Sequence, residues 1–267
     1  MLTFRLIARL DIKSPDLIKT VRMEGTRKLG DPYEYASRYD QEGIDEILYV
    51  DVVASLYGRN ALGPLVDRTT RDVFCPVTVG GGIRTVEDAA KLFRAGADKV
   101  CINTAAVANP GLITEIARKF GSQAITLQLD AKKHERGWSA LCAGGRNPTG
   151  REAVEWARTS VELGAGEILL TSVDREGTGR GLDIELCATV AGEVSVPVVV
   201  CGGVGSVSDI LAAAKVGVNG VVMANVLHFN KLSLAQIRQG LMEAGINVRQ
   251  DSTRGAQPDG QGSGIHG

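Results

Sequence analysis

Short apolar runs recur along the chain, and between them the apolar positions spread out to a helical spacing. Runs of about five to seven β-type residues lie at 4–11, 46–51, 75–80, 98–103, 124–130, 167–172, 197–202 and 219–224. Each is followed by an amphipathic stretch: 32–43, 59–72, 85–95, 109–119, 150–164, 182–192, 206–216 and 232–245. Eight strands, each with its own helix, predict an α/β fold of the (β/α)8 barrel type. An open, doubly wound sheet is the competing arrangement.

The pattern is written twice. GIDEILYVD (43–51) matches GAGEILLTS (164–172) at an offset of 121. PVTVGGGIRTVEDAAKLFRAGADKV (76–100) matches PVVVCGGVGSVSDILAAAKVGVNGV (197–221) at the same offset. RLIARLDIK (5–13) and AITLQLDAK (124–132) repeat a strand ending, pairing Asp11 with Asp130 at an offset of 119. Two duplicated half-barrels favour closure over an open sheet. The expected organisation is a single barrel over residues 1–248 with a disordered tail from 249 to 267, because that tail is rich in Gly, Gln and Ser.

Two connections exceed a plain turn. Residues 14–31 follow the first strand and 132–150 the fifth, so both fall on the face where barrel enzymes carry their catalytic loops. The second, with WSALC inside it, reads as a β-hairpin.

Composition removes several classes of function. The 267 residues are 44% hydrophobic and 23% charged with a net charge of −1, so neither nucleic acid nor a membrane surface is an expected partner. No run of about 18 apolar residues occurs, and Arg5, Arg9 and Asp11 break the N-terminal apolar stretch that a secretion signal needs. Cys75, Cys101, Cys142, Cys187 and Cys201 show no metal spacing and are expected to be reduced, as in a cytoplasmic protein. His134, His228 and His266 start no ligand motif. No metal or cofactor is expected.

Candidate chemistry gathers at the strand ends. GGG (80–82) ends the third strand and CGG (201–203) the seventh, followed by INTAA (102–106) and MANVL (223–227) after the fourth and eighth. Glycines there let backbone N–H groups approach an anion, and the duplication provides two such cradles, suited to a substrate with a phosphate at each end. Tight turns alone would also use these glycines. Asp11 and Asp130 end strands on opposite sides of the barrel, where paired carboxylates can split acid and base work. Helix capping, or ion pairs with Lys13 or Lys132, is the plainer account of them. At the other end of the strands, Arg5, Glu46, Lys99 and Glu167 put two charges of each sign where a packed core would be apolar.

DKVCINTAAVANPGLITEIARKFGSQA (98–124) and GAGEILLTSVDREGT (164–178) resemble the cyclase-subunit family of imidazole glycerol phosphate synthase, and the resemblance covers about residues 1–250. It implies a lyase of histidine biosynthesis. Such an enzyme uses ammonia from a glutaminase subunit in a heterodimer. It converts a ribulosyl-aminoimidazole-carboxamide ribonucleotide with two phosphates into imidazole glycerol phosphate and aminoimidazole carboxamide ribotide. The resemblance further implies Asp11 and Asp130 as the general acid and base. Phosphate contacts would fall on Gly82, Asn103 and Thr104 at one end and on Gly177, Gly203, Ala224 and Asn225 at the other. Lys19 would be a substrate contact in the first loop, Arg5, Glu46, Lys99 and Glu167 an ammonia gate, and Asp98 a residue facing the glutaminase.

The chain departs from that family at Arg9 and Gln128, where small residues are usual, and at Val53, Glu176, Asn225 and SLYGRN (55–60). Strand alternation turns Arg9 and Gln128 inward, facing each other on the ammonia route that the resemblance implies. Arg9 stays protonated, so it must pair with an acid, Asp11 or Asp130, and depress that acid's pKa. These departures open two alternatives: a diverged paralogue supplying ammonia for surface-sugar amidation, or a non-catalytic barrel that activates a glutaminase. The isomerase of the preceding pathway step shares the duplication and the paired aspartates, but the charged quartet and TSVDREGT (171–178) favour the cyclase.

Overall fold

The computed structural model describes residues 3–21, 24–54 and 62–250. The expected SLYGRN departure at 55–60, the start of the second helix, His266 and most of the expected tail therefore lie outside the described residues.

Eight parallel strands close into a barrel. They are β1 (Arg5–Lys13), β4 (Glu46–Asp51), β5 (Val77–Gly80), β6 (Lys99–Ile102), β7 (Ile125–His134), β10 (Glu167–Ser172), β11 (Val198–Cys201) and β12 (Gly220–Met223). Each pairs with the next, β12 pairs with β1, and β7 pairs with β10 to join the halves. The doubly wound alternative is thereby excluded. Helices α1 (Pro32–Gln41), α2 (Gly63–Asp72), α3 (Val86–Arg94), α4 (Thr104–Ala108), α5 (Gly111–Phe120), α6 (Ala153–Glu162), α7 (Ile184–Glu193), α8 (Val207–Lys215), α9 (Asn225–His228) and α10 (Leu234–Glu243) occupy the connections.

Near-continuous apolar strands follow from burial on both faces. On β1, Leu6, Ala8, Leu10 and Ile12 join the core beneath the helices, while Ile7 joins a second cluster with Leu48, Cys101, Leu169, Val199 and Val222. Truncating a fully buried member such as Leu6 to Ala would cost roughly 2–5 kcal/mol. The inner residues of β1 that are not apolar are Arg5, Arg9 and Asp11, the groups singled out from the sequence.

The duplication is visible in local chemistry. Thr85 and Asp88 form a reciprocal capping box at the start of α3, and Ser206 and Asp209, 121 residues on, form the same box at α8. At the opposite end of the strands, Asp98 accepts from Val77 N at 2.8 Å and Asn219 accepts from Val198 N at 2.9 Å.

Both long connections are hairpins. Gly137–Cys142 (β8) and Asn147–Glu152 (β9) extend antiparallel from β7, as WSALC suggested. Asp16–Val21 (β2) and Glu24–Gly30 (β3) pair antiparallel as a second hairpin, β2 lying antiparallel to the end of β1. Its alternation is hidden by charged and hydroxyl residues, although Leu17 and Ile18 are buried. The chain beyond α10 returns to the barrel: Val248 bridges Phe4, and Arg249 pairs with Asp45 at 3.2 Å.

Candidate active site and charged ring

At the C-terminal mouth, β1 and β7 each carry an aspartate held by the residue two positions before it, and both strands run on beyond it to Lys13 and His134. Arg9 Nε donates to Asp11 Oδ1 at 2.8 Å, both side chains being buried. Gln128 Nε2 donates to Asp130 at 3.2 and 3.1 Å. Alternation on a strand brings side chains two apart onto one face, so the sequence itself builds these pairs. Arg9 and Gln128 do turn inward, but each reaches along its own strand to its own aspartate. Of the two acids open to Arg9, the ion pair is with Asp11.

The two carboxyls are driven apart electrostatically. Burial works to raise Asp11, but Arg9 and Lys19 outweigh it and hold the acid below the ordinary aspartate range. Burial likewise raises Asp130; the weaker pull of Arg9, Gln128 and Asn103 does not cancel it, and Asp130 stands above that range. Asp11 lines the open cleft, whereas Asp130 is fully enclosed. Asn103 Nδ2 donates to Asp130 Oδ2 at 2.9 Å and to Leu141 O at 3.1 Å. The Asn103 amide is thus turned to the acid.

Two hollows open at this mouth; Asp11 lines the larger, and Asp130 lines neither. The larger, of about 380 Å3, is lined by Gly82, Asn103 and Thr104 with Asp51, Arg84 and Arg146. The smaller, of about 20 Å3, is lined by Gly177, Gly203, Ala224 and Asn225 with Lys19 and Glu176. The structure therefore gathers the two sets of predicted contacts into two separate places. Asp51 Oδ2, Thr171 Oγ1, Ser172 Oγ and Asn225 Oδ1 are buried with no hydrogen-bond partner among the described residues. Unpaired polar atoms clustered at one mouth suit a polar ligand.

Several of these groups were not singled out from the sequence. Asp51 closes the quoted run GIDEILYVD, and a third acid at a strand end was the available signal. Gly81, Gly202 and Gly203 make the close approach, with φ of +95°, +95° and +109°; a Cβ would lie 2.4 Å from Asp51 O, 2.8 Å from Ser172 O and 2.2 Å from Gly181 O respectively.

At the barrel floor, Arg5, Glu46, Lys99 and Glu167 close a ring of alternating charge. Arg5 meets Glu46 at 3.0 Å and also pairs with Glu167; Lys99 meets Glu46 and Glu167 at 2.9 Å each. Thr78 Oγ1 and Thr126 Oγ1 donate to the two glutamates. Burial works against the charged Arg5 and Glu167, but their partners outweigh it, raising Arg5 and lowering Glu167. Asp98 is exposed beside this floor, and Phe74, 73% exposed, precedes β5 at the same end.

No group of three or more His, Cys, Asp or Glu able to hold a metal occurs among the described residues. The five cysteines are free, and burial pushes Cys75 and Cys187 up to about 12. Among the described residues no helix is long and apolar enough to cross a membrane.

Comparison with known proteins agrees with this architecture. The family described as "Histidine biosynthesis protein" matches residues 5–233. The imidazole glycerol phosphate synthase subunit HisF of Legionella pneumophila is 54% identical over 210 residues, 78% of this chain and 99% of that protein. Its namesake from Pyrobaculum aerophilum is 48% identical over 247 residues, 92% of this chain and 98% of that protein. That of Gluconacetobacter diazotrophicus is 45% identical over 250 residues, covering 93% and 97%.

Proposed function

The chain belongs to the histidine biosynthesis protein family, and we propose that it is the cyclase subunit of an imidazole glycerol phosphate synthase. It is a lyase of histidine biosynthesis. Its substrate is a ribulosyl-aminoimidazole-carboxamide ribonucleotide with a phosphate at each end. Ammonia from a glutaminase subunit is incorporated, and imidazole glycerol phosphate and aminoimidazole carboxamide ribotide are released. The protein works in the cytoplasm.

One observation carries the reading: Asp11 lines a large hollow at strand ends of the first half, and a smaller hollow is built from the matching strand ends of the second half. A bisphosphate laid across the mouth would put one phosphate against Gly82, Asn103 and Thr104. The other would meet Gly177, Gly203, Ala224 and Asn225, with Lys19 closing over it. Its central carbons then lie over Asp11. Condensing ammonia with the ribulosyl carbonyl expels water, so the departing oxygen needs a proton and the nitrogen must lose protons. Asp130, which keeps its proton to higher pH, suits donation; Asp11, held ionised, suits acceptance. Asn103 must swing from Asp130 for that acid to meet the substrate.

The glutaminase would dock on the barrel floor, where Asp98 and Phe74 are exposed around the charged ring. Arg5, Glu46, Lys99 and Glu167 would be the gate that neutral ammonia passes. The test is purified protein with ammonium salts and the bisphosphate substrate, followed by identification of both products. Formation of the two products supports the cyclase. Absence of turnover alongside activation of a glutaminase would replace it with a scaffold.

A further inference from the structure

The two half-barrels differ in the residue that stands two positions before each aspartate. Asp11 and Asp130 stand on equivalent strands, and the residue two before each donates to it: Arg9 in the first half, Gln128 in the second. A cation stands in one copy and a neutral amide in the other. Both line the floor of the large hollow. We propose that Arg9 is a positioning residue that divides the dyad, fixing Asp11 as the proton acceptor and leaving Asp130 as the proton donor. The inference rests on the cyclase reading for its catalytic meaning, but not for its electrostatics.

The geometry supports this assignment. Arg9 is 6% exposed and its guanidinium has few other partners: Nη1 lies 4.0 Å from Cys201 Sγ. A buried arginine keeps its proton, so its charge must be met by an acid. That acid is Asp11, the one open to the cleft. Lys19 on β2 and His228 on α9 also act on Asp11 through space. Glu176 stands against Lys19 at 2.5 Å, so the lysine's charge is shared with another acid. Around Asp130 the direct donors are the amides of Gln128 and Asn103, with Arg9, Asp11, Cys101 and Cys142 acting at longer range. Arg9 thus touches Asp11 directly and reaches Asp130 only through space, so it favours the charged form of Asp11 the more.

Two equal carboxylates in one site would share a proton and leave their roles to the substrate. A fixed cation beside one of them removes that ambiguity. The cost is a weaker base, since proton affinity falls with the pKa; the gain is that Asp11 stays ionised over the working pH range.

The test gives the first half the second half's residue. A glutamine at position 9 can reach Asp11 as Gln128 reaches Asp130, so Arg9→Gln preserves the hydrogen bond and removes the charge. Carboxyl carbon resonances of both aspartates, assigned with Asp11→Asn and Asp130→Asn, are followed through a pH titration of wild type and Arg9→Gln. The expected result is that Asp11 titrates below Asp130 in the wild type, and that Arg9→Gln moves Asp11 upward more than Asp130. In ammonium-dependent turnover, the acid limb of kcat/KM should move up by about one pH unit. An Asp11 titration unchanged by Arg9→Gln, or a wild-type order with Asp130 first, overturns the proposal. The wild-type order decides even where the variant does not fold. A wild type that titrates in the expected order but turns over no substrate would sink the cyclase reading and leave this one standing.

Discussion

Lys19 Nζ donates to Glu176 Oε1 at 2.5 Å, joining the first hairpin to the opposite half-barrel across 157 positions of sequence. Both side chains are buried and both line the smaller hollow. A phosphate entering there must share or replace this carboxylate as the partner of Lys19. Glu176→Gln should tighten binding of inorganic phosphate by about fivefold, the equivalent of about 1 kcal/mol. Lys19→Met should weaken it about tenfold or more by removing a charge-assisted bond. Calorimetry with phosphate checks both signs, and equal effects from the two variants would contradict the placement.

The floor ring predicts a different kind of loss. Glu46 and Glu167 stand at equivalent positions of the two halves, each answering both Arg5 and Lys99. Glu167→Gln leaves two cations against one carboxylate, and breaking such a buried set costs about 3–5 kcal/mol at its upper end. Thermal unfolding should show the loss. With a cognate glutaminase present, the ratio of glutamine-dependent to ammonium-dependent turnover should also fall, because the ring stands where delivered ammonia would enter.

His228 predicts acid sensitivity. Burial pushes its imidazole down to about 4, while Nδ1 lies 2.7 Å from Tyr39 Oη. The unfolded chain binds a proton near pH 6.5 that the folded chain refuses until about pH 4. Stability therefore falls as pH drops through that window, by up to about 3 kcal/mol for this group alone. Asp11 contributes in the same direction only at lower pH, where its lowered carboxyl takes up a proton. Denaturant unfolding of His228→Gln against wild type should show a shallower decline between pH 6.5 and 4.

Gly81 and Gly217 separate crowding from backbone strain. Both have φ above +90°, but a Cβ at Gly81 meets Asp51 O at 2.4 Å and one at Gly217 meets nothing within 4 Å. Gly217→Ala should cost about 1–2 kcal/mol, the left-handed penalty alone. Gly81→Ala should cost more than that and weaken phosphate binding, because the strand end must move. Equal losses at the two sites would mean that the close approach carries no weight.

What could be read from the chain follows from how local each feature is. The barrel strands were legible because burial on both faces writes them as apolar runs, and the duplication fixed their number. The charged ring was legible through strand parity: Arg5 shares a face with Arg9 and Asp11, so its direction was given once Asp11 was placed. The first hairpin was not, since its buried Leu17 and Ile18 sit among charged neighbours whose partners lie elsewhere in the fold. The Lys19–Glu176 pair and the enclosure of Asp130 by Asn103 join residues from different strands and loops, and no spacing records them. Gly81 and Gly202 were passed over because a glycine run names a segment, and only the backbone shows that Gly81, Gly202 and Gly203 each lack room for a Cβ.

The central claim is that Asp11 and Asp130 perform the proton transfers of an ammonia-dependent cyclisation. The direct measurement is steady-state turnover of the bisphosphate substrate with ammonium salts by wild type, Asp11→Asn and Asp130→Asn, with substrate binding and thermal unfolding measured on the same preparations. Each variant is predicted to fold, to bind substrate and to lose at least about a hundredfold in kcat. A folded variant of either aspartate that keeps wild-type kcat would contradict the account.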